Sequence, residues 1–269
     1  MIRQELVELI HARKSYLCVG LDTDINKIPK HLLALDNPVL QFNKAIIDAT
    51  RDYCVSYKIN TAFYEAMGVR GWQILEDTVS YIGSSHFTIA DAKRGDIGNT
   101  SSQYAQAFFE ALPFDAVTVA PYMGADSVKP FLQYPGKWTI LLGLTSNTGA
   151  SDFELQKAGN ERLYEKVIRT ASGWGNPDNL MFVVGATQAD EFVNIRKISP
   201  ASFYLVPGVG AQGGSLKEIS EKAMIPGDVG LLVNASRAII YASENENFAT
   251  EAAEIARQYQ VEMAGYLSR

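Results

Sequence analysis

Cysteine is scarce in this chain, and its placement limits the kinds of site that the chain can hold. Cys18 and Cys54 are the only cysteines among 269 residues, and both lie in apolar stretches without a CxxC or Cys/His spacing. Metal sites built on cysteine need ligands at such spacings. We therefore expect two reduced, buried thiols, no metal site and a cytosolic protein.

Long apolar segments are also missing. No stretch approaches the roughly 18 apolar residues of a membrane span. The first residues, MIRQELVELIHARK, carry charges throughout, whereas a signal peptide has a continuous apolar core. We expect a soluble, cytoplasmic protein without a membrane partner.

Positive charge is in deficit, with 24 Lys and Arg against 30 Asp and Glu and a net charge of −6. A nucleic-acid-binding protein usually presents a broad basic face, so nucleic acid is not an expected partner. The sequence also lacks linkers, low-complexity tracts and charge runs that would divide it. Because 47% of the residues are hydrophobic, one large core is possible, and we predict a single domain over residues 1–269.

What the sequence does contain is a series of short apolar runs separated by amphipathic helical stretches. Nearly continuous apolar strands that alternate with helices indicate a parallel sheet covered by helices. Eight such units in this length favour a (β/α)8 TIM barrel over an open doubly wound sheet. The eight runs are Tyr16–Leu21, Tyr53–Ile59, Phe87–Ala90, Ala116–Val119, Trp138–Leu144, Leu180–Val184, Phe203–Val206 and Gly230–Val233.

Polar residues follow these runs at the carboxyl ends, where barrels place their chemistry. Taken alone, Asp22 could cap a turn and Lys58 could extend its ammonium from a strand edge to solvent. Their shared placement at one rim favours a functional site. The residues at this rim are Asp22, Asp24, Lys58, Asp91, Lys93, Thr145, Ser146, the glycine-rich segment 208–214 and the segment 234–237.

The segment DAKRGD after the third run combines charges of both signs. Asp91 and Lys93 alternate at period two and can share one face, while Ala92 points away. Asp96 follows Gly95, which permits a tight turn into a helix. Such a network keeps a lysine protonated as a general acid and presents a fixed negative charge that would repel a substrate carboxylate. The alternative is a salt-bridge cluster that closes a surface turn.

A second motif combines VPGVGAQGG after the seventh run with NASRAI after the eighth. Glycines let backbone amides approach phosphate oxygens, and Arg237 can hold them through two parallel hydrogen bonds. This pairing is typical of the barrel phosphate site. The alternative is ordinary turn chemistry with a solvated arginine.

These motifs resemble those of one family, the orotidine 5′-phosphate decarboxylases. The D-x-K-x-x-D-I-x-x-T pattern within residues 88–100 resembles the family signature, and VPGVGAQGG and NASRAI resemble its phosphate-binding segments. The versions DAKRGDIGNT and TSNTG resemble the longer bacterial branch. The resemblance implies decarboxylation of orotidine monophosphate to uridine monophosphate and carbon dioxide, without metal or cofactor, as the last step of pyrimidine synthesis.

Carried over residue by residue, the resemblance implies a role for each site residue. Asp91 would lie against the leaving carboxylate, Lys93 would protonate ring carbon 6, and Lys58 would hold the charge network and contact the ribose. Further substrate contacts would come from Asp22 at a ribose hydroxyl, from Ser146 at the pyrimidine, and from Pro207, Gln212, Ser236 and Arg237 around the phosphate.

The resemblance also implies a homodimer, in which Asp96, Ile97 and Thr100 cross the interface into the partner's site. The long segment TSNTGASDFELQKAGN after the fifth run is predicted to be a lid. Thr148 stands in it where this branch is expected to have a proline, which bears on the pyrimidine contact.

Three other functions fit parts of the same pattern. A sister barrel enzyme could decarboxylate a keto acid sugar phosphate with Mg²⁺ held by a similar D-x-K-x-x-D. An aldolase could use Lys93 or Lys58 as a Schiff base, although a lysine among carboxylates stays charged and is a poor nucleophile. A nucleotide-binding sensor would need the phosphate site but not the charge cluster.

Overall fold

The apolar runs form the strands of a closed parallel barrel, as predicted. The computed structural model describes residues 1–210 and 213–268. Its strands are β1 (Leu17–Gly20), β2 (Ser56–Asn60), β3 (Phe87–Arg94), β4 (Ala116–Val119), β5 (Trp138–Leu144), β6 (Lys157–Ala158), β7 (Glu161–Arg162), β8 (Leu180–Val184), β9 (Tyr204–Pro207) and β10 (Leu231–Ala235). Around the barrel they run β1, β10, β9, β8, β5, β4, β3, β2, while β6 and β7 form a separate hairpin.

Helices cover the barrel because each presents an apolar stripe toward the strands. In the helix Val69–Ile82, for example, Leu75, Val79 and Ile82 recur at helical spacing and are all buried. The helices are α1 (Arg3–Arg13), α2 (Pro38–Thr50), α3 (Thr61–Glu65), α4 (Val69–Ile82), α5 (Gly98–Gln106), α6 (Ala125–Leu132), α7 (Leu163–Ser172), α8 (Phe192–Ile198), α9 (Leu216–Ala223), α10 (Arg237–Ile240) and α11 (Phe248–Leu267). In the described ranges no helix is both long and apolar enough to cross a membrane.

The predicted strand positions differ from the observed ones mainly at the second and third strands. The second begins at Ser56 because residues 51–53 form a turn. The third continues four residues past Ala90 to Arg94, since pairing with β4 resumes there after an irregularity. Strands β4, β5 and β8 have the predicted bounds. The extension of β3 carries the DAKR residues above the core.

The two cysteines are buried and free, as expected. Burial raises the pKa of each thiol to about 12, so both stay protonated near neutral pH. Cys18 lies on β1, in register with Asn234 of β10 and Ser56 of β2. Both thiols have the character of small apolar side chains.

Candidate active site

A cavity of about 480 Å³ opens at the carboxyl ends of the barrel strands. Parallel strands all end at this rim, so residues far apart in sequence meet there. The structure brings to its wall many of the residues predicted from the sequence, namely Asp22, Lys58, Asp91, Lys93, Thr145, Ser146, Pro207, Ser236 and Arg237.

The Asp91 carboxylate is the centre of the charged wall. Its Oδ2 lies 2.9 Å from Lys58 Nζ, and its Oδ1 lies 2.6 Å from Lys93 Nζ. Asp22 approaches the same network from the segment after β1, with Oδ1 3.5 Å from Lys58 Nζ. The Lys58 side chain is 5% exposed and that of Lys93 is 50% exposed. One lysine is thus locked in the network, while the other faces the cavity mouth.

The two ammonium groups govern the protonation of this network. Burial by itself would raise the pKa of the Asp91 carboxyl, but Lys58 and Lys93 outweigh it and hold that pKa well below its usual range. Burial would likewise lower the pKa of Lys58, but the carboxylates of Asp91 and Asp22 raise it above the ordinary lysine value. Asp91 is therefore an anion and Lys58 a cation at neutral pH.

The opposite wall has the features of an anion site. Pro207, Gly208 and Val209 follow β9, and Ser236 and Arg237 follow β10. Gly20 of β1 makes room for this wall, because a Cβ there would lie 1.8 Å from Ser236 Oγ. The predicted phosphate contact Gln212 lies outside the described residues.

Apolar side chains line the cavity together with the charged wall and the anion site. Leu142, Val183 and Leu205 come from β5, β8 and β9 and line the cavity. Their neighbours along each strand are buried. An apolar surface beside a charge network excludes water and strengthens electrostatic interactions with a ligand.

The segment after β5 is a structured loop whose first residues, 145–147, line the cavity. Thr145 donates from its backbone N and its Oγ1 to the Glu154 carboxylate, at 2.7 and 2.8 Å. Thr148 begins a short 3₁₀ helix, and the preceding Asn147 has φ −77° and ψ 156°. A residue that precedes a proline adopts this extended conformation. Asn147 therefore has the conformation that it would also need if position 148 were a proline. Ser146 lines the cavity.

Three predicted site residues lie elsewhere. Asp96, Ile97 and Thr100, all within the described range, lie outside the lining of their own chain's cavity. Asp96 Oδ1 accepts a hydrogen bond from its neighbour's backbone N at 2.8 Å, and Ile97 is 54% exposed. These side chains are presented to the surface beside β3.

Several residues at the site were missed in the sequence. Asn60 lines the cavity two residues after Lys58, and the period-two argument used for Asp91 would have found it. Tyr241 accepts a hydrogen bond from Asp24 N at 2.7 Å and donates to Asp22 O at 3.0 Å. No local sequence pattern indicates these two hydrogen bonds, because they join the segment after β1 to the segment after β10.

Thr118, inside the apolar run AVTV, was also missed. Its hydroxyl is 3.0 Å from Asp91 Oδ1 and 2.9 Å from the backbone N of Lys93. The only signal in the sequence was a polar residue in an otherwise apolar strand. Across the described ranges, no group of three or more His, Cys, Asp and Glu side chains is arranged to hold a metal ion.

Comparison with known proteins identifies relatives over nearly the whole chain. Residues 15–253 match the family model described as Orotidine 5'-phosphate decarboxylase / HUMPS family. The orotidine 5'-phosphate decarboxylase of Phocaeicola vulgatus is 60% identical over 267 residues, which are 98% of this chain and 98% of that protein.

Solved structures agree with the sequence relatives. The Leishmania donovani OMP decarboxylase is 34% identical, with a TM-score of 0.82 over 97% of this chain and 100% of that one. The Leishmania donovani UMP synthase is 36% identical, with a TM-score of 0.81 over 94% of this chain, but this chain spans only 56% of its length.

The buried ion pairs predict how stability depends on Asp91. Asp91→Asn leaves Lys58 buried with only the more distant Asp22, so it should lower the free energy of unfolding at pH 7 by about 3 kcal/mol. The folded-state pKa of Asp91 is depressed, so its contribution is present above the unfolded pKa near 4 and is lost as pH falls through the folded pKa. The difference between variant and wild type should therefore shrink below about pH 4.

Urea unfolding at several pH values measures this difference. Asp190→Asn is the matched control, because Asp190 forms a 2.8 Å ion pair with Lys222 but is 99% exposed. That variant should unfold like the wild type. Equal effects of the two substitutions at pH 7 would contradict the role given to burial.

Proposed function

Because the chain belongs to the orotidine 5′-phosphate decarboxylase / HUMPS family, we propose that it converts orotidine 5′-monophosphate to uridine 5′-monophosphate and carbon dioxide. The observation that carries the proposal is the buried Asp91 carboxylate bracketed by Lys58 and Lys93, in one cavity with the anion site around Arg237. A substrate with a carboxylate at one end and a phosphate at the other matches this arrangement of charges.

In the proposed reaction the bond between ring carbon 6 and the carboxylate breaks. The bonding electron pair stays on carbon 6 as carbon dioxide leaves, and a proton from Lys93 Nζ then joins that carbon. Asp91 supports bond breaking because its fixed charge repels the substrate carboxylate more than the neutral carbon dioxide that leaves. Lys93 is half-exposed, so solvent can return the proton after product release.

The remaining residues bind and orient the substrate. Arg237 and Ser236, with the backbone after β9, hold the phosphate, and Asp22 and Lys58 contact the ribose. Ser146 contacts the pyrimidine, and Leu142, Val183 and Leu205 keep water from the reacting carbon. Binding energy from the phosphate end can then lower the barrier at the ring. Every step of this proposal uses a side chain of the protein, so the proposed reaction needs no metal or cofactor. We also propose that the enzyme is cytoplasmic.

Lys93→Ala tests the proton donor. It should lower kcat by about a thousand-fold or more, because the proton must then come from unpositioned water. The assay follows loss of orotidine monophosphate in the near ultraviolet, with circular dichroism to confirm folding. Lys166→Ala, on the exposed face of α7, is the control and should keep full activity. A Lys93→Ala enzyme that retains a large part of the wild-type kcat is incompatible with this role.

Arg237→Ala tests the phosphate contact. It should lower kcat/KM for orotidine monophosphate by about 100-fold or more, because hydrogen bonds to a charged group are lost. On orotidine, which has no phosphate, the same substitution should change the rate little. Equal losses on both substrates would assign the arginine a structural role instead.

We further propose a two-fold homodimer in which Asp96, with Ile97 and Thr100, completes the partner's site. The support is that these side chains lie outside their own cavity, on the surface next to β3. Exposed apolar residues lie on the segment after the adjacent β4, where Tyr122 is 90% exposed and Met123 is 44% exposed. Such residues are enriched in interfaces between subunits.

Mixing two inactive variants tests the shared site. Lys93→Ala and Asp96→Asn homodimers should each be nearly inactive. After denaturation and refolding of an equal mixture, about half of the dimers are mixed, and each mixed dimer has one intact site. About a quarter of wild-type activity should therefore return. If Asp96 serves its own chain, each site keeps one defect and no activity returns.

A further inference from the structure

The pairing of β3 with β4 is irregular at the charged end. Ala90 pairs with Val117, and the next pair joins Arg94 to Val119. Asp91, Ala92 and Lys93 therefore lie opposite the single residue Thr118. Extra residues on one strand leave backbone groups without ladder partners and bend that strand. The bulge thus allows Lys93 to turn back toward Asp91.

Lys93 has an unusual backbone conformation at this bulge, with φ +47°. A residue with a side chain adopts this left-handed region at a cost of about 1–2 kcal/mol. The conformation persists only where neighbouring groups hold it. Its backbone N donates to Thr118 Oγ1 at 2.9 Å, so a side chain of β4 replaces the missing ladder bond.

The same hydroxyl reaches the carboxylate. Thr118 Oγ1 donates to Asp91 Oδ1 at 3.0 Å, and it must be the donor there because Asp91 is ionised and can only accept. A directional chain therefore runs from the Lys93 N–H through the Thr118 hydroxyl to the Asp91 carboxylate. Each bond in such a chain polarises and strengthens the next.

Thr118 is suited to fix this geometry because it is fully buried. Lys58 and Lys93 also donate to Asp91, but both ammonium groups stand at the ends of long, flexible side chains, and Asp22 reaches the network only through Lys58. A short hydroxyl on a rigid strand sets the position of the carboxylate and of the lysine backbone together. Lys93 Nζ then stays 2.6 Å from Asp91 Oδ1.

We propose that Thr118 is a positioning residue that holds the Lys93 backbone and the Asp91 carboxylate in the arrangement required for proton transfer. The inference rests on the proposed decarboxylation for its kinetic consequence. Thr118 is not among the residues that line the cavity, so it is argued to act through its two partners. Its loss should reduce kcat more than it changes KM, because small displacements of a proton donor slow the chemical step.

Two substitutions separate the hydroxyl from the packing of the side chain. Thr118→Val keeps the branched shape and removes the hydroxyl, and it should lower kcat about ten-fold or more with little change in KM. Thr118→Ser restores the hydroxyl and should recover most of kcat. Thr139→Val is the control, since Thr139 is equally buried on β5 and its Oγ1 has no hydrogen-bond partner among the described residues.

A second measurement needs no turnover. Amide hydrogen exchange at Lys93 should accelerate in Thr118→Val and stay slow in Thr118→Ser and Thr139→Val, because only the first loses the acceptor of that N–H. The proposal is overturned if Thr118→Val keeps wild-type kcat, if Ser is as damaging as Val, or if exchange at Lys93 does not change. A wild type without activity on orotidine monophosphate would refute the proposed function, while the exchange result would still decide the role of Thr118.

Discussion

The buried Asp91 carboxylate between two lysine ammonium groups is the interaction on which the site depends. A lone carboxylate at this depth would become protonated, and a lone Lys58 would lose its proton. Together they remain charged, because Coulomb attraction in a poorly solvated site outweighs the cost of burial. The barrel can therefore hold the fixed negative charge of Asp91 in its cavity, 2.6 Å from Lys93 Nζ.

The barrel architecture supplies this arrangement from separate strands. Lys58 comes from β2, Asp91 and Lys93 from β3, and the anion site from the segments after β9 and β10. Each group lies on a strand of the closed barrel or directly after one. The fold therefore sets the distance between the charged wall and the anion site. A substrate that fills both sites has its reacting carbon placed without further ordering of the protein.

Much of the fold and part of the site could be predicted from the sequence, because both depend on local patterns. Apolar runs identified the barrel, and the period-two spacing of Asp91 and Lys93 indicated that they meet. They do meet, although through a bulge with Lys93 at positive φ rather than through regular alternation. Contacts of Thr118 and Tyr241 could not be predicted, since they join different strands and depend on register, which single-sequence patterns do not encode.

The most direct test of the account is turnover of orotidine monophosphate by the purified wild-type chain in the presence of EDTA. The loss of substrate absorbance, the uridine monophosphate formed and the carbon dioxide released are measured in the same reaction. If the charge network and the anion site perform the reaction without a metal ion, the three amounts agree and the rate is the same with and without chelator. A chain that leaves orotidine monophosphate unchanged, or that turns it over only after Mg²⁺ is added, would contradict the central claim.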